Sequence, residues 1–190
     1  MTNDATWTAI VPLKPPGQRK TRLFAYLSPQ ERELLAEFLF AHVVSQLRAV
    51  PAISDIALLS TARAGWAGLW VQDEGRGLNE ELRAARSRLK AEHVLVLHGD
   101  LPLLAPADVE ALLDAAQGGC ALAPDRHASG TNAIALGGMV DFAFAFGPDS
   151  LAAHQRAAEN RAKLVRRIGL ELDIDTPDDL QVARAAGFTW

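Results

Sequence analysis

The sequence predicts an α/β fold with a mixed, mainly parallel sheet that is covered by helices on both faces. Short apolar runs alternate along the chain with amphipathic segments of helical period, as expected of strands joined by covering helices. The run HVLVL at His93–Leu97 is typical of a buried strand. Ligands of such sheets bind where loops leave the carboxyl ends of the strands, so we expect the chemistry in the loops that follow the strands.

The other predicted strands are also short apolar runs. The first, at residues 8–13 (TAIVPL), leads into KPPGQRKTRL, a segment so rich in proline and cations that we expect an irregular loop. Further strands are predicted at residues 55–60, 68–71, 120–123 and 133–136, and a final strand within residues 164–172.

The first helix has the clearest start signal in the chain. Ser28 is a good N-cap, Pro29 suits the first turn, and Glu31 stands three residues after Ser28, as a capping box requires. An apolar stripe then recurs at helical spacing to about Arg48. The stripe consists of Leu34, Leu35, Phe38, Leu39, Val43 and Leu47. Further helices are predicted at residues 79–90, 106–116, 150–161 and 178–186.

Composition narrows the range of functions. With 190 residues the chain is long enough for one sizeable core, and we expect one domain over residues 1–190. The net charge of −4 gives no general attraction to nucleic acid or to an anionic membrane. The single cysteine, Cys120, rules out an intrachain disulfide. Neither a signal-peptide pattern nor a long apolar run is evident, so we expect a cytoplasmic protein without a membrane partner.

The loop after the first strand concentrates positive charge. Lys14, Arg19, Lys20 and Arg22 lie within nine residues, with Gly17 among them. Such cations can neutralise a polyphosphate, and a glycine lets the backbone approach it. A solvated basic turn explains the same cluster about equally well. The loop is neither a Walker A loop nor a Rossmann glycine loop.

Three aspartates are candidate metal ligands. Asp100 follows the buried strand HVLVL, although an aspartate in that place is more often a turn or cap residue. Asp173 and Asp175 would share one face of an extended segment, where two like charges favour a cation between them. Mg2+ prefers oxygen ligands of this kind. The alternative is that both aspartates decorate the start of a helix capped by Thr176, but we favour the metal site.

Three polar segments are candidate binding loops. Thr131, in DRHASGTN, and Ser150, after FGPD, could donate hydrogen bonds to an anion. A plain surface loop and an ordinary N-cap explain them as well. Gly77 and Asn79, in GRGLNEEL, could hold a base or ribose, or simply form a connection. His154 is interpreted as a structural or solvated histidine.

Together these segments resemble the 2-phospho-L-lactate guanylyltransferase family of coenzyme F-420 biosynthesis, which is similar in fold to the molybdenum cofactor guanylyltransferases. The resembling segments follow the family's order over nearly the whole chain: VPLKPPGQRKTRL, LSPQERELL, GLNEEL, GDLPLL, APDRHASGTNAI, FGPDSLAAH and LDIDTPDDL. The resemblance implies a three-layer Rossmann-like nucleotidyltransferase fold. It also implies transfer of GMP from GTP to 2-phospholactate, phosphoenolpyruvate or 3-phosphoglycerate, with a possible hand-off of the product to a downstream transferase.

The resemblance also implies roles for individual residues. Asp100, Asp173 and Asp175 look like the Mg2+ ligands, and Thr131, Gly147 and Ser150 look like the pocket for the acceptor acid. The cations facing the triphosphate would be Lys14, Lys20 and Arg22, with Gly17, Gly77 and Asn79 as further nucleotide-binding residues. In two places, Ala128 and Asp149, the family usually has glycine.

Other functions stay open from the sequence. One is a nucleotidyltransferase that acts on molybdopterin or on a sugar phosphate, although such enzymes usually begin with a loop richer in glycine than KPPGQRKTRL. Another is a non-catalytic nucleotide-binding module, which would not need paired carboxylates.

Overall fold

The computed structural model describes residues 6–63, 65–138 and 141–190. A seven-stranded sheet with the order β3-β2-β1-β4-β6-β5-β7 organises these residues. Its strands are β1 (Trp7–Pro12), β2 (Ile53–Ser60), β3 (Leu69–Gln72), β4 (His93–Leu97), β5 (Cys120–Pro124), β6 (Thr131–Gly137) and β7 (Lys163–Leu164). All neighbouring strands pair in parallel except β6, which is antiparallel to both β4 and β5. The predicted mixed, mainly parallel sheet is thus confirmed.

Helices cover both faces of the sheet. They are α1 (Pro29–Arg48), α2 (Leu78–Leu89), α3 (Pro106–Ala115), α4 (Ser150–Ala157), α5 (Ile168–Glu171) and α6 (Pro177–Ala185). Successive residues of β4 alternate between two cores: Leu95 and Leu97 pack with residues of α1 and α3, whereas Val94 and Val96 pack with residues of α2 and α4. The result is a three-layer arrangement. Within the described residues, no helix is long and apolar enough to span a membrane.

The predicted start of α1 is confirmed in detail. The backbone N–H of Glu31 donates to Ser28 Oγ at 3.2 Å, and the backbone N–H of Ser28 donates to Glu31 Oε2 at 2.8 Å. The apolar stripe is only partly buried, because Leu34 and Phe38 are 51% and 44% exposed. The face that α1 turns towards the sheet is therefore narrower than the stripe in the sequence.

Three sequence expectations need correction. KPPGQRKTRL is not wholly irregular, because Thr21–Leu23 forms a 3-10 turn that buries Leu23. Helix α4 ends at Ala157 rather than at residue 161, because Glu159 and Asn160 have left-handed φ values of 53° and 57°. The expected strand within residues 164–172 is mostly the short helix α5 instead.

The physical reason for α5 lies in its packing. Leu170 is fully buried in the core beside α3 and the sheet. Arg167 Nε contacts Asp108 Oδ1 at 2.5 Å at the start of the turn. A Cβ at Gly169 would lie 2.0 Å from Asp108 Oδ2, so only glycine allows this close approach. The helical turn is favoured because it buries Leu170 while the side chains of Arg166 and Arg167 stay near the surface.

The topology brings several loops to one edge of the sheet. Strands β1 and β4 are parallel, so their carboxyl ends lie side by side. Strand β6 runs antiparallel to β4, so its first residues lie at the same edge, with Leu97 opposite Ala133. The segment after α5 also reaches this edge, where the Ile174 N–H donates to the Asp100 carbonyl at 3.2 Å.

Candidate active site

A cavity of about 500 Å³ lies at this edge of the sheet. Eight of the predicted site residues line it: Lys14, Lys20, Asp100, Thr131, Gly147, Ser150, Asp173 and Asp175. The other four, Gly17, Arg22, Gly77 and Asn79, are not among the described residues that line it. The fold therefore brings together the residues predicted for the metal and the acceptor acid, whereas the predicted nucleotide residues are only partly in the cavity wall.

The three aspartates form one cluster. Each of Asp100, Asp173 and Asp175 offers a carboxylate oxygen, and the three oxygens lie within 4.8 Å of one another. Asp100 Oδ1 is buried and has no hydrogen-bond partner among the described residues. Burial, together with the charges of the other two carboxylates, raises the pKa of Asp173 to about 7. This concentration of negative charge is the arrangement that a divalent cation would relieve.

The ammonium of Lys20 lies inside this acidic cluster. Its Nζ contacts Asp100 Oδ2 at 2.5 Å and the Ile174 carbonyl at 2.5 Å, and it lies 3.7 Å from Asp175 Oδ1. Burial by itself would lower the pKa of Lys20, but the carboxylates of Asp100 and Asp175 raise it above its ordinary value. The lysine predicted to face the triphosphate thus offsets part of the negative charge of the cluster in this structure.

The rest of the basic loop folds back onto α1. The Gly17 N–H donates to Glu33 Oε1 at 2.7 Å, and Arg19 binds Glu33 Oε2 at 3.3 Å and the Lys14 carbonyl at 2.7 Å. The Gly17 amide is therefore already occupied by a carboxylate. Arg22 lies 3.3 Å from Asp175 Oδ2, and its side chain is 72% exposed. Glu33 could not be recognised from the sequence, because an isolated glutamate in a helix is typical of a solvated surface position.

Two polar side chains hold the segment that carries Asp173 and Asp175. The amide of Asn132 donates to the Leu170 carbonyl at 3.0 Å and approaches Asp173 Oδ1 at 3.3 Å. Asp179 Oδ2 accepts from the backbone N–H groups of Asp175 and Thr176 at 3.1 and 2.6 Å. Arg126 pairs in turn with Asp179 Oδ1 at 2.8 Å. The loop DRHASGTN, which includes Asn132, was a candidate anion donor, whereas the amide of Asn132 supports the acidic segment instead.

Another part of the cavity wall, the hydroxyl side, is formed by the hydroxyl groups of Thr131 and Ser150. Thr131 begins β6, Ser150 begins α4, and both are buried, with their hydroxyl oxygens 3.5 Å apart. Gly147 has φ 138°, a conformation available to glycine at little cost, and lies in the loop that enters α4. The backbone N–H of Phe146, in the same loop, donates to Asn79 Oδ1 at 2.7 Å, and Asn79 Nδ2 donates to the Phe146 carbonyl at 3.1 Å. Asn79 therefore holds this loop in place.

The loop before α2 is shaped by a buried carboxylate. Glu81 is fully buried and accepts from the backbone N–H groups of Glu74 and Arg76 at 2.9 and 3.0 Å. The Arg76 guanidinium also binds it and lowers the pKa of Glu81 to about 2. Gly77 follows with φ 96° and is the N-cap of α2. The sequence analysis did not single out Glu81, because one glutamate in a charged helix gives no local signal.

Two histidines lie on or behind the cavity wall. His98 follows β4 and lines the cavity, where its ring packs against Phe146 with a centroid distance of 5.3 Å. Burial lowers the pKa of His98. His154 is fully buried, which excludes the interpretation of this residue as a solvated histidine. Sequence reasoning missed His98, because a lone histidine after a strand is rarely distinctive.

A comparison with known protein families assigns the chain to one of them. The model of the family described as "Guanylyl transferase CofC like" matches residues 7–184. The chain belongs to this family. The resemblance seen in the ordered segments is therefore confirmed, and so is the prediction of a nucleotidyltransferase enzyme.

Curated relatives match almost the whole length of the chain. A phosphoenolpyruvate guanylyltransferase of Sphaerobacter thermophilus is 39% identical over 191 residues, which are 93% of this chain and 91% of that protein. A protein of the same name from Rubrobacter xylanophilus is 41% identical over 194 residues, which are 94% of each chain.

Solved structures support the fold at much lower identity. A nucleotidyl transferase from Methanothermobacter has a TM-score of 0.63 and 15% identity, with 95% of this chain and 97% of that chain covered. A protein of Desulfovibrio desulfuricans has a TM-score of 0.75 and 17% identity, with 94% and 86% covered. The predicted Rossmann-like nucleotidyltransferase fold is thereby confirmed.

Proposed function

We propose that this enzyme transfers GMP from GTP to phosphoenolpyruvate and releases pyrophosphate. The observation that carries the proposal is the cavity itself, whose wall combines an acidic cluster, lysines of the basic loop and a pair of buried hydroxyls. The choice of guanine and of phosphoenolpyruvate is supported by the name that the two relatives share. Among the acids that the resemblance implies, 2-phospholactate and 3-phosphoglycerate are the competing acceptors.

We further propose that Asp100, Asp173 and Asp175 hold Mg2+. Their chemistry fits a hard cation, because all three offer carboxylate oxygens. The buried, unpartnered Oδ1 of Asp100 supports the same assignment, since an isolated buried oxygen is costly without a partner. Bound there, Mg2+ would supply charge stabilisation for the reacting phosphates.

In the proposed reaction, a phosphate oxygen of the acceptor attacks the α-phosphorus of GTP. A new P–O bond forms there, the bond from the α-phosphorus to its bridging oxygen breaks, and pyrophosphate leaves with the electron pair. The nucleophile is already anionic at neutral pH, so this step needs no general base. This suits a cavity whose charged lining residues are lysines, one arginine and aspartates.

The remaining requirement is to bring two anions together. Lys14 and Lys20 line the cavity and carry the positive charge that would stabilise the triphosphate and the departing pyrophosphate. Across the cavity, the hydroxyls of Thr131 and Ser150 would donate to the carboxylate of the acceptor. This division places the nucleotide beside the basic loop and the acid beside the start of α4.

A role in coenzyme F-420 biosynthesis, hand-off of the product to a downstream transferase and a cytoplasmic location belong to the same proposal. They rest on the resemblance and on the sequence. Interaction with a downstream enzyme would protect a product that joins two phosphates to a small acid.

The experiment is pyrophosphate release from GTP and Mg2+, with each of the three acids offered separately. Release that depends on phosphoenolpyruvate is the expected result, and release with another of the acids would correct the acceptor. If GTP binds but no acid gives release, the guanylyl transfer proposal fails. A molybdopterin or sugar-phosphate acceptor, or a non-catalytic nucleotide-binding role, would then be tested next.

A further inference from the structure

The buried histidine of α4 makes hydrogen bonds through both ring nitrogens. The backbone N–H of Ala145 lies 2.9 Å from His154 Nε2, and His154 Nδ1 lies 3.0 Å from Thr131 Oγ1. His154 is fully buried and is enclosed by aromatic rings, with the Phe146 centroid at 4.8 Å and the Phe142 centroid at 5.8 Å. The ring is thus fixed in position and in orientation.

The backbone amide decides the direction of these hydrogen bonds. A backbone N–H can only donate, so Nε2 of His154 must be the accepting nitrogen. In a neutral imidazole the hydrogen then resides on Nδ1, which donates to Thr131 Oγ1. In a protonated imidazolium, Nε2 would also carry a hydrogen, and two hydrogen-bond donors, Nε2–H and the backbone N–H of Ala145, would face each other. Consistently, burial lowers the pKa of His154 to about 4, so the neutral ring is the form present at neutral pH.

The hydrogen bond from His154 occupies the oxygen of Thr131 as an acceptor, so the remaining role of this hydroxyl is to donate its hydrogen. Its oxygen accepts from Nδ1, and the hydroxyl of Ser150, one helical turn before His154, also donates to this oxygen at 3.5 Å. The hydroxyl hydrogen of Thr131 has no acceptor on the histidine. Since Thr131 lines the cavity, that hydrogen is available to a ligand in the cavity.

We propose that His154 is a positioning residue that turns the hydroxyl of Thr131 into an obligatory hydrogen-bond donor for an anionic oxygen of the acceptor acid. This inference rests on the proposed function, because it assigns the Thr131 side of the cavity to the acid. The three groups form a one-way relay from the Ala145 amide through the imidazole to the hydroxyl. A ligand group that itself only donates would be rejected there, whereas a carboxylate would be accepted.

Two substitutions separate the two ends of the imidazole. Glutamine at position 154 places an oxygen near the Nε2 position and so keeps an acceptor for Ala145, but it removes the donor to Thr131. Asparagine places an amide N–H near the Nδ1 position and so keeps the donor, but it leaves the Ala145 amide unpaired. If His154 had only a structural role, activity would follow stability. The variant with the lower Tm would then also be the less active one.

Steady-state kinetics of the full chain with Mg2+, GTP and phosphoenolpyruvate test the relay. His154→Gln and Thr131→Val should each raise KM for phosphoenolpyruvate about 10-fold, the loss expected for one hydrogen bond to a charged group, with KM for GTP unchanged within about twofold. The double variant should be no worse than either single one. His154→Asn should stay within about threefold of wild type even if its Tm is lower. An unchanged KM for His154→Gln, or effects that multiply in the double variant, would overturn the proposal.

A measurement without turnover keeps the relay distinct from the proposed function. Long-range 1H–15N NMR at pH 7 reports the tautomer of each histidine, and the signal lost in His154→Gln identifies His154. The expected form is neutral with the hydrogen on Nδ1. A hydrogen on Nε2, or an imidazolium, would refute the relay whatever the enzyme's substrate. If wild type shows the expected tautomer but releases no pyrophosphate with any acid, the proposed function fails while the fixed direction of the relay stands.

Discussion

The acidic cluster and the hydroxyl side, formed by Thr131 and Ser150, lie in the same cavity but satisfy their polar groups in different ways. In the cluster, three carboxylates crowd together, one buried oxygen has no partner in the described structure, and Lys20 supplies the neighbouring positive charge. On the hydroxyl side, Thr131 and Ser150 are neutral and buried. They form a hydrogen-bonded set with the neutral, buried His154 behind the cavity wall.

Because of this difference, the stability of the acidic side depends on what binds there, whereas the hydroxyl side is already organised without a ligand. The acidic side is electrostatically incomplete and gains stability from any cation that enters it. The hydroxyl side is already organised, and a ligand need only accept the hydrogen that the relay directs into the cavity. Changes to the acidic side should therefore be large and sensitive to Mg2+, whereas changes to the hydroxyl side should be smaller and specific to the acid.

The largest expected effect is on the acidic side. Asp100→Asn should lower kcat by roughly 10³-fold or more, because it removes a proposed metal ligand next to the reacting phosphates. Circular dichroism and Tm should stay close to those of wild type. Asp114→Asn, which changes an exposed aspartate of α3, is the matched control and should be fully active. Near-normal turnover of Asp100→Asn would remove the metal assignment.

A smaller loss is expected from the lysine inside the cluster. Lys20→Met should lower kcat by roughly 10²-fold. Without metal it should also lower Tm, because the carboxylates lose their neighbouring positive charge, and Mg2+ should restore part of that loss. Arg22→Met removes a mostly exposed cation 3.3 Å from Asp175 and should change kcat only a few-fold. Equal effects of the two substitutions would mean that burial of Lys20 within the cluster has no special role.

The metal-free protein should lose stability as the pH rises. Asp173 has a folded-state pKa of about 7, above its ordinary value, so its contribution is fully present below about pH 4 and is lost as the pH rises through 7. In EDTA at pH 8, Asp173→Asn should therefore be more stable than wild type by about 1 kcal/mol or more. Urea unfolding at pH 5 and pH 8 measures this. A wild-type stability that does not fall between these pH values would contradict the crowding of charge in the cluster.

The smallest expected effect is a change in the free energy of unfolding at two backbone positions close in sequence to Thr131 and Ser150. Ala128 and Asp149 have φ values of 55° and 53°, and these are the two positions where the resembling family usually has glycine. Ala128→Gly should stabilise the protein by about 0.5–1 kcal/mol, since glycine adopts this conformation without a Cβ penalty. Ala152→Gly, in an exposed position of α4, should destabilise by about 1 kcal/mol instead.

Chemical unfolding of both variants provides the comparison. The KM for phosphoenolpyruvate should stay within about twofold of wild type for Ala128→Gly, because Thr131 and its relay are unchanged. A destabilised Ala128→Gly would show that this left-handed residue is not strained.

The sequence predicted those features whose signals are local. The capping box of Ser28 and Glu31 and the buried run His93–Leu97 are read from consecutive residues, and both are confirmed. The grouping of Asp100 with Asp173 and Asp175 was implied by the family resemblance, and the structure brings their carboxylate oxygens within 4.8 Å although Asp173 follows α5 rather than a strand. The turn of α5 could not be predicted, because it depends on close packing of Gly169 against a helix 60 residues earlier in the chain.

The remaining site features depend on partners far apart in sequence. Lys20 reaches the Ile174 carbonyl across 154 positions, and Asn79 holds Phe146 across 67. The tautomer of His154 is set by a backbone amide whose direction only the fold determines. Residue types and order therefore indicated what chemistry the cavity can support, whereas the three-dimensional contacts indicate which groups remain available to a ligand.

The most direct test of guanylyl transfer is 31P NMR of wild-type enzyme with GTP, Mg2+ and phosphoenolpyruvate. The account predicts pyrophosphate and, in equal amount, a product whose two coupled phosphorus signals show a new P–O–P link between GMP and the acid's phosphate. Intact GTP, or cleavage of GTP to pyrophosphate without that coupled product, would contradict it.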